Sequence, residues 1–335
     1  MRPSSLFTVF LFFLAVNSIP PDTSLRRPEI NSYAALGDSY AAGVGAGTIR
    51  WPPHPDFGCG RYSDSYPRQV ANHSCLKVEE SNFKNLACGG TASSAVLRNQ
   101  VPYIRGSDLV TITVGGNEVD FSVILNECIY HWNPTSTCDA ELVKARMLIE
   151  SAVLWNNLDG VISGAIKQLK PNALLLITGY ARFFNEETAF CDHATFSQTK
   201  PLDYLTKSKR KALNQLVSML NDVIQAMAEV HGAVYVDLDK AFEGHRFCEE
   251  GVKEPDIERS ETWFFNLSPP DTGTTEIERS LQIQAGGLEV DELEVGTSDI
   301  LPIKKWRTFH PTSLGHKGIS EQIVREVLDR SGSAR

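Results

Sequence analysis

The chain has 335 residues, 42% hydrophobic and 22% charged, which is ample for a large globular core and excludes a disordered chain. Its formal net charge of -9 argues against nucleic acid as a partner, because a phosphate backbone demands basic patches.

Residues 1 to 18 place Arg2 ahead of the apolar run Leu6 to Val16 and end on the small Ser18, the pattern of a secretory signal peptide. The run is too short to cross a bilayer. No later segment reaches the about 18 uninterrupted apolar residues of a spanning helix, so a secreted, extracellular protein without stable membrane insertion is expected. Residues 19 to 31 read as a linker, 32 to 330 as a single domain and 331 to 335 as a frayed tail.

Beyond the linker, short apolar runs alternate with longer segments of helical period, which predicts a parallel sheet covered by helices on both faces. The expected strands are Tyr33 to Gly37, Phe83 to Ala87, Leu109 to Val114, Ala173 to Thr178 and Ala233 to Leu238. Their continuous apolar character suits strands buried on both sides. Helices are expected over Ala140 to Lys170, with a break near Gly160, over Asp203 to His231, and from Ser313 to Leu328.

Between Ser268 and Ile303 eight acids (Asp271, Glu276, Glu278, Glu289, Asp291, Glu292, Glu294, Asp299) face Arg279 alone, a local charge of -7. This stretch, rich in Gly and Thr, reads as an insertion or extended surface loop. Seven cysteines in an exported chain suggest disulfides. Neither a Cys-x-x-Cys pair nor a His-x-x-x-His pair occurs, so no metal site is expected. Asn72-His73-Ser74 is an acceptor sequon for N-glycosylation, and Asn266-Leu267-Ser268 is a poorer one because Pro269 follows. Oligomeric state leaves no signature.

Polar clusters follow the expected strands or precede the last helix: Gly37-Asp38-Ser39, Cys88-Gly89-Gly90-Thr91, Gly115-Gly116-Asn117 and His310-Pro311-Thr312. In an open parallel sheet the carboxyl ends of the strands form the binding crevice, where such clusters converge. Acyl transfer needs a nucleophile, a base for its proton, and donors aimed at the developing oxyanion. Ser39 can attack, His310 titrates in the right range to accept the proton, Gly90 exposes a backbone N–H, and Asn117 adds an amide donor. No cofactor is needed for that chemistry. Asp38 reads as a hydrogen-bonding brace of the turn rather than a proton carrier.

These clusters, in this order, resemble the blocks of the GDSL, or SGNH, hydrolases, serine esterases and lipases with a flavodoxin-like three-layer α/β/α fold around a mostly five-stranded parallel sheet. The resemblance spans roughly residues 33 to 328. It implies Ser39 as nucleophile, His310 as base, and an oxyanion hole from the Ser39 and Gly90 backbone N–H groups with the Asn117 side chain. The absence of Gly-x-Ser-x-Gly agrees, since an ordinary hydrolase elbow uses that motif.

One position departs. The family usually carries an aspartate three residues before the histidine, and this chain has Arg307 there. Members with cysteines near the same blocks hold the histidine by a backbone carbonyl from that position, which implies a Ser-His dyad oriented by the Arg307 carbonyl. A remote acid such as Asp299, or a catalytically inactive secreted binding protein, are the alternatives. The same resemblance implies the pairs Cys59-Cys88, Cys128-Cys138 and Cys191-Cys248, leaving Cys75 over. The implied substrate is an ester, either of an acyl chain, as for a lipase or phospholipase, or of an acetylated glycan, as for a carbohydrate O-deacetylase. Trp132, Phe183, Phe184, Trp263, Phe264 and Phe265 line such an acyl site or fill the core.

Overall fold

A computed structural model describes residues 30–50, 53–257, 259–267 and 306–332. The expected leader, most of the linker, the acidic stretch and Asp299 lie outside the described residues.

Five strands form one parallel sheet: β1 (Tyr33–Gly37), β2 (Phe83–Asn85), β3 (Leu109–Thr113), β4 (Leu174–Thr178) and β5 (Val234–Val236), in the order β2-β1-β3-β4-β5. This is the flavodoxin-like order, in which the chain reverses its direction of winding between β1 and β3 and leaves a crevice at their carboxyl ends. Every residue of β1 and β3 is buried. Their polar side chains are satisfied internally: Thr111 Oγ1 lies 2.7 Å from the Tyr33 hydroxyl, and Thr113 Oγ1 lies 2.8 Å from Tyr66 Oη and 2.7 Å from Thr178 Oγ1.

Register fixes the site. Gly37 pairs with Thr113, and Thr113 with Thr178, so β1, β3 and β4 end level with one another. The residues that follow them emerge along one edge.

The helices are α1 (Ser39–Ala42), α2 (Pro55–Gly58), α3 (Tyr66–Ala71), α4 (Ser93–Asn99), α5 (Phe121–Leu125), α6 (Cys138–Ile149), α7 (Ala152–Ile166), α8 (Lys207–Val230) and α9 (Ser313–Gly332). On one side α4, α7 and α8 pack in series, with α4 against β1 and α8 against β4 and β5. On the other, α3 and α9 pack together and reach β2 and β5. The stripe Leu213, Leu216, Val217, Leu220, Val223, Ile224 and Met227 of α8 is buried as its period requires.

Several boundaries differ from expectation: β2 and β5 are shorter than their apolar runs, and the helices differ as well. The break in the long helical segment falls between Ile149 and Ala152, not at Gly160, because the Ser151 side chain accepts from the Leu154 N–H and caps a new helix. Gly164 lets α7 approach Leu97 of α4, where a Cβ would come within 2.6 Å of Leu97 Cδ1, whereas at Gly160 a Cβ would make ordinary contact with Leu97 at 3.5 Å. The next helix starts at Lys207 behind a Thr206 cap, and Asp203 is left in the preceding loop. The last helix runs through Gly332, beyond both its expected end and the expected start of the tail.

Disulfides join Cys59 to Cys88, Cys128 to Cys138 and Cys191 to Cys248, and Cys75 is free and exposed. Of the six loop aromatics, Phe183, Phe184 and Phe264 are core, each at most 5% exposed. Among the described residues, no helix is long and apolar enough to cross a membrane.

Candidate active site

The apolar run of β1 ends at Gly37, whose backbone (φ 140°) only glycine adopts readily; a Cβ there would lie 2.2 Å from the Thr113 carbonyl oxygen. Gln100, buried, clamps this residue from both sides: its Oε1 accepts the Gly37 N–H at 2.7 Å and its Nε2 donates to the Gly37 carbonyl at 3.0 Å. The chain then turns sharply. Asp38 caps α1 by accepting the Tyr40 N–H at 2.9 Å, which leaves Ser39 as the first residue of the helix.

Ser39 Oγ lies 2.7 Å from His310 Nε2. Residues 271 positions apart in sequence are thus within hydrogen-bond distance at the carboxyl edge of β1. A second contact fixes the approach: the Tyr40 hydroxyl donates to the Phe309 carbonyl at 2.7 Å.

Two backbone carbonyls stand behind His310, that of Thr308 and the expected one of Arg307. The Arg307 carbonyl accepts the His310 backbone N–H at 2.9 Å, and His310 Nδ1 lies 3.2 Å from the Thr308 carbonyl. The turn brings the carbonyl two residues back under the ring because Phe309 adopts a left-handed φ of 61°. With a carbonyl accepting from Nδ1–H, Nε2 is the unprotonated nitrogen and accepts from Ser39. Although the ring edge is partly open, burial lowers the imidazole to about 4, against the Thr308 and Arg307 carbonyls, which favour the protonated form. His310 is therefore neutral at physiological pH.

The turn after β2 is locked to the nucleophile turn. Cys88 N–H donates to the Gly37 carbonyl at 3.0 Å, and Gly89 N–H to the Cys59 carbonyl at 2.8 Å, beside the Cys59–Cys88 disulfide. Gly90 follows with φ 73°, exposed, and nothing within 4 Å of where a Cβ would sit. The Ser39 and Gly90 N–H groups have no acceptor among the described residues. Asn117 is exposed after β3 and donates one Nδ2 proton to the Thr91 carbonyl at 2.9 Å, which leaves its second N–H for a ligand.

Asp38 is 2% exposed, and burial, with the nearby Glu118 carboxylate adding to it, raises its carboxyl to about 7 despite hydrogen bonds from Tyr180 and from the Tyr40 and Ala41 N–H groups. Tyr180 and Gln100 escape detection from sequence, since neither lies in a recognisable cluster. The one available signal is that Tyr180 stands two residues beyond an expected strand end.

His316 is fully buried. Its Nδ1 accepts the Tyr66 N–H at 3.3 Å, and burial pushes the ring down to about 3. A cleft of about 450 Å³, lined by neither Ser39 nor His310, is bounded by Gly45 and Gly47 and by Arg307 and Thr312. Phe264, Phe265, Ile257 and Leu314 give it apolar walls, and Arg259 adds a second guanidinium. Among the described residues, no group of His, Cys, Asp and Glu could hold a metal ion.

The chain is 33% identical over 220 residues to Lipase 1 of Streptomyces coelicolor, a match covering 65% of this chain and 73% of that protein. It is 32% identical over 237 residues to a lipase of Streptomyces rimosus, covering 70% and 80%. Two crystal structures superpose over 88% of this chain and 99% of their own, each at 26% identity: phospholipase A1 of Streptomyces albidoflavus (TM-score 0.63) and the extracellular lipase of Streptomyces rimosus (TM-score 0.62). The sequence model of one family matches residues 35–317, a span that holds the serine turn at one end and the histidine loop at the other. The chain belongs to the GDSL-like lipase/acylhydrolase family.

Proposed function

We propose that this carboxylic ester hydrolase works through an acyl-serine intermediate on Ser39, with His310 as general base, on esters of acyl chains outside the cell. The observation that carries this reading is the 2.7 Å contact between Ser39 Oγ and His310 Nε2 at the sheet's carboxyl edge.

Ser39 Oγ attacks the ester carbonyl as its proton passes to Nε2. The carbonyl oxygen becomes the oxyanion, for which the Ser39 and Gly90 N–H groups and the second Asn117 N–H are the available donors. The C–O bond to the alcohol then breaks, and the alcohol leaves with the proton from Nε2. Water, deprotonated by the same nitrogen, attacks the acyl-serine; the acid departs and Ser39 recovers its proton. A carbonyl holds the imidazolium less firmly than a carboxylate does, so His310 is oriented more than it is charged.

The lipase and phospholipase relatives favour acyl chains over acetylated glycans. Three disulfides fit an oxidising compartment, which supports secretion. Ser39→Ala tests the whole reading: the folded variant is expected to lose turnover of p-nitrophenyl esters and covalent labelling by an organophosphonate. Turnover equal to the parent overturns it.

A further inference from the structure

Four strand ends meet at the site, and three of them carry the proposed reacting groups or donors. The fourth, the end of β4, supplies Tyr180, which lies in none of the family's blocks. Its hydroxyl donates to Asp38 Oδ2 at 2.6 Å and accepts the Gly116 N–H at 3.0 Å. Asp38 caps the turn that presents Ser39, and Gly116 immediately precedes Asn117. We infer that the Tyr180 hydroxyl is a positioning group that holds the nucleophile turn and the Asn117 donor in one frame.

Each part of Tyr180 is fixed. Its backbone N–H donates to Asn221 Oδ1, and its carbonyl accepts from Asn221 Nδ2, both at 2.8 Å. Its ring packs edge-on against Tyr40 with centroids 5.1 Å apart, and only 5% of the residue is exposed. Gly116 approaches so closely that a Cβ there would lie 3.3 Å from the Tyr180 hydroxyl oxygen. A backbone N–H cannot donate to a second N–H, and a carboxylate cannot donate at all, so the bridging atom must both accept and donate. A tyrosine hydroxyl does both.

The inference rests on Ser39 and Asn117 acting as proposed, and it has its own signature. Asp38 is faced by the Tyr180 hydroxyl, by the Tyr40 and Ala41 N–H groups of its own turn and by Glu118 from the β3 exit, while the buried hydroxyls of Tyr40 and Tyr66 lie within its field. Its protonation removes an acceptor from the frame. The acid side of kcat/KM should therefore fall in two steps, a partial one near 7 from Asp38 and a complete one near 4 from His310.

The test uses the full chain and p-nitrophenyl butyrate from about pH 4 to 9. Tyr180→Phe is expected to lower kcat at alkaline pH by about 10- to 100-fold with KM little changed, the cost of a small misplacement at the reacting centre. The upper step moves to higher pH, because the carboxylate has lost a donor. With 3-fluorotyrosine at position 180, a stronger donor, it moves to lower pH. Adding Asp38→Asn to Tyr180→Phe should cost less than the sum of the two single losses. A folded Tyr180→Phe with kcat within about twofold of the parent, or additive losses, overturns the inference. If the Phe variant fails to fold, the direction of the shift in the fluorotyrosine protein decides. Turnover retained by Ser39→Ala would instead sink the assignment of the nucleophile.

Discussion

The hydroxyl of Tyr40 donates to the carbonyl of Phe309 at 2.7 Å, so the residue after the proposed nucleophile holds the residue before the proposed base. Both are buried, and Phe309 is also the left-handed residue that lets the Thr308 carbonyl reach the imidazole. Tyr40→Phe keeps the ring and leaves that carbonyl without its donor. Stability should fall by about 1 to 3 kcal/mol, the cost of an unsatisfied buried acceptor. The kcat for ester hydrolysis should fall by about 10- to 100-fold, through a displaced His310. Urea midpoints beside steady-state rates check both; a variant that loses stability alone would place the bond outside the reaction.

Two glycines at the site should respond in opposite ways. At Gly37 a Cβ would meet the Thr113 carbonyl at 2.2 Å, and the contact is backbone on both sides. Gly37→Ala is expected to unfold the chain or to shift β1 against β3. At Gly90 the space is empty, and the cost is that of a positive φ, about 1 kcal/mol. Gly90→Ala should therefore express, melt slightly lower and keep most of its activity, because the N–H is retained. Thermal unfolding and ester turnover of the pair separate steric from conformational cost.

What was legible in the sequence was the sheet and the chemistry at its edge. Apolar runs marked β1, β3 and β4 to within a residue, since strands buried on both faces need them. The shorter β2 and β5 were overrun, because Leu86, Ala87 and Leu238 are apolar in turns that pack on the core. The helix break was misplaced because α7 carries Gly160 in its interior, and the actual stop is set by the Ser151 cap. The Thr308 carbonyl joins that of Arg307 behind the ring because a turn's direction depends on the φ of Phe309, which composition does not encode. Tyr180 and Gln100 meet the nucleophile turn through contacts between residues 142 and 63 positions apart, which exist only once the chain is folded.

The disulfides should separate into one that serves the site and one that serves the fold. Cys59–Cys88 closes 29 residues and holds the turn carrying Gly89 and Gly90 against the nucleophile loop. Cys191–Cys248 closes 57 residues and ties the segment around buried Arg210, whose guanidinium donates to the carbonyls of Asn185, Thr188 and Leu205, to the loop after β5. Replacing either pair with serine should cost about 2 to 5 kcal/mol, the second somewhat more for its longer loop. At a temperature where both variants are folded, only the first should lower kcat. Equal kcat for the two would mean that the Gly89–Gly90 turn holds its shape without the bridge.

Stability should depend on pH through three buried groups of opposite sign. His310 and His316 are held down at about 4 and about 3, so below the ordinary imidazole value the unfolded chain binds protons that the native state refuses. Their contribution is complete above about 6.5 and is lost as pH falls toward those values. Asp38, raised to about 7, works the other way: between the ordinary carboxyl value and 7 the native state binds a proton that the unfolded chain has released, so stability falls as pH rises through that window. Two depressed histidines outweigh one raised carboxyl, and net stability should drop between pH 6.5 and 4. His316→Gln keeps an acceptor for the Tyr66 N–H and should flatten this drop. Asp38→Asn, which caps a helix as well as aspartate does, should steepen it and leave the chain more stable than the parent at pH 8, by up to about 4 kcal/mol if the whole shift is relieved. Urea midpoints of the three proteins at pH 4.5, 6 and 8 give the slopes, and parallel lines would remove these groups from the acid transition.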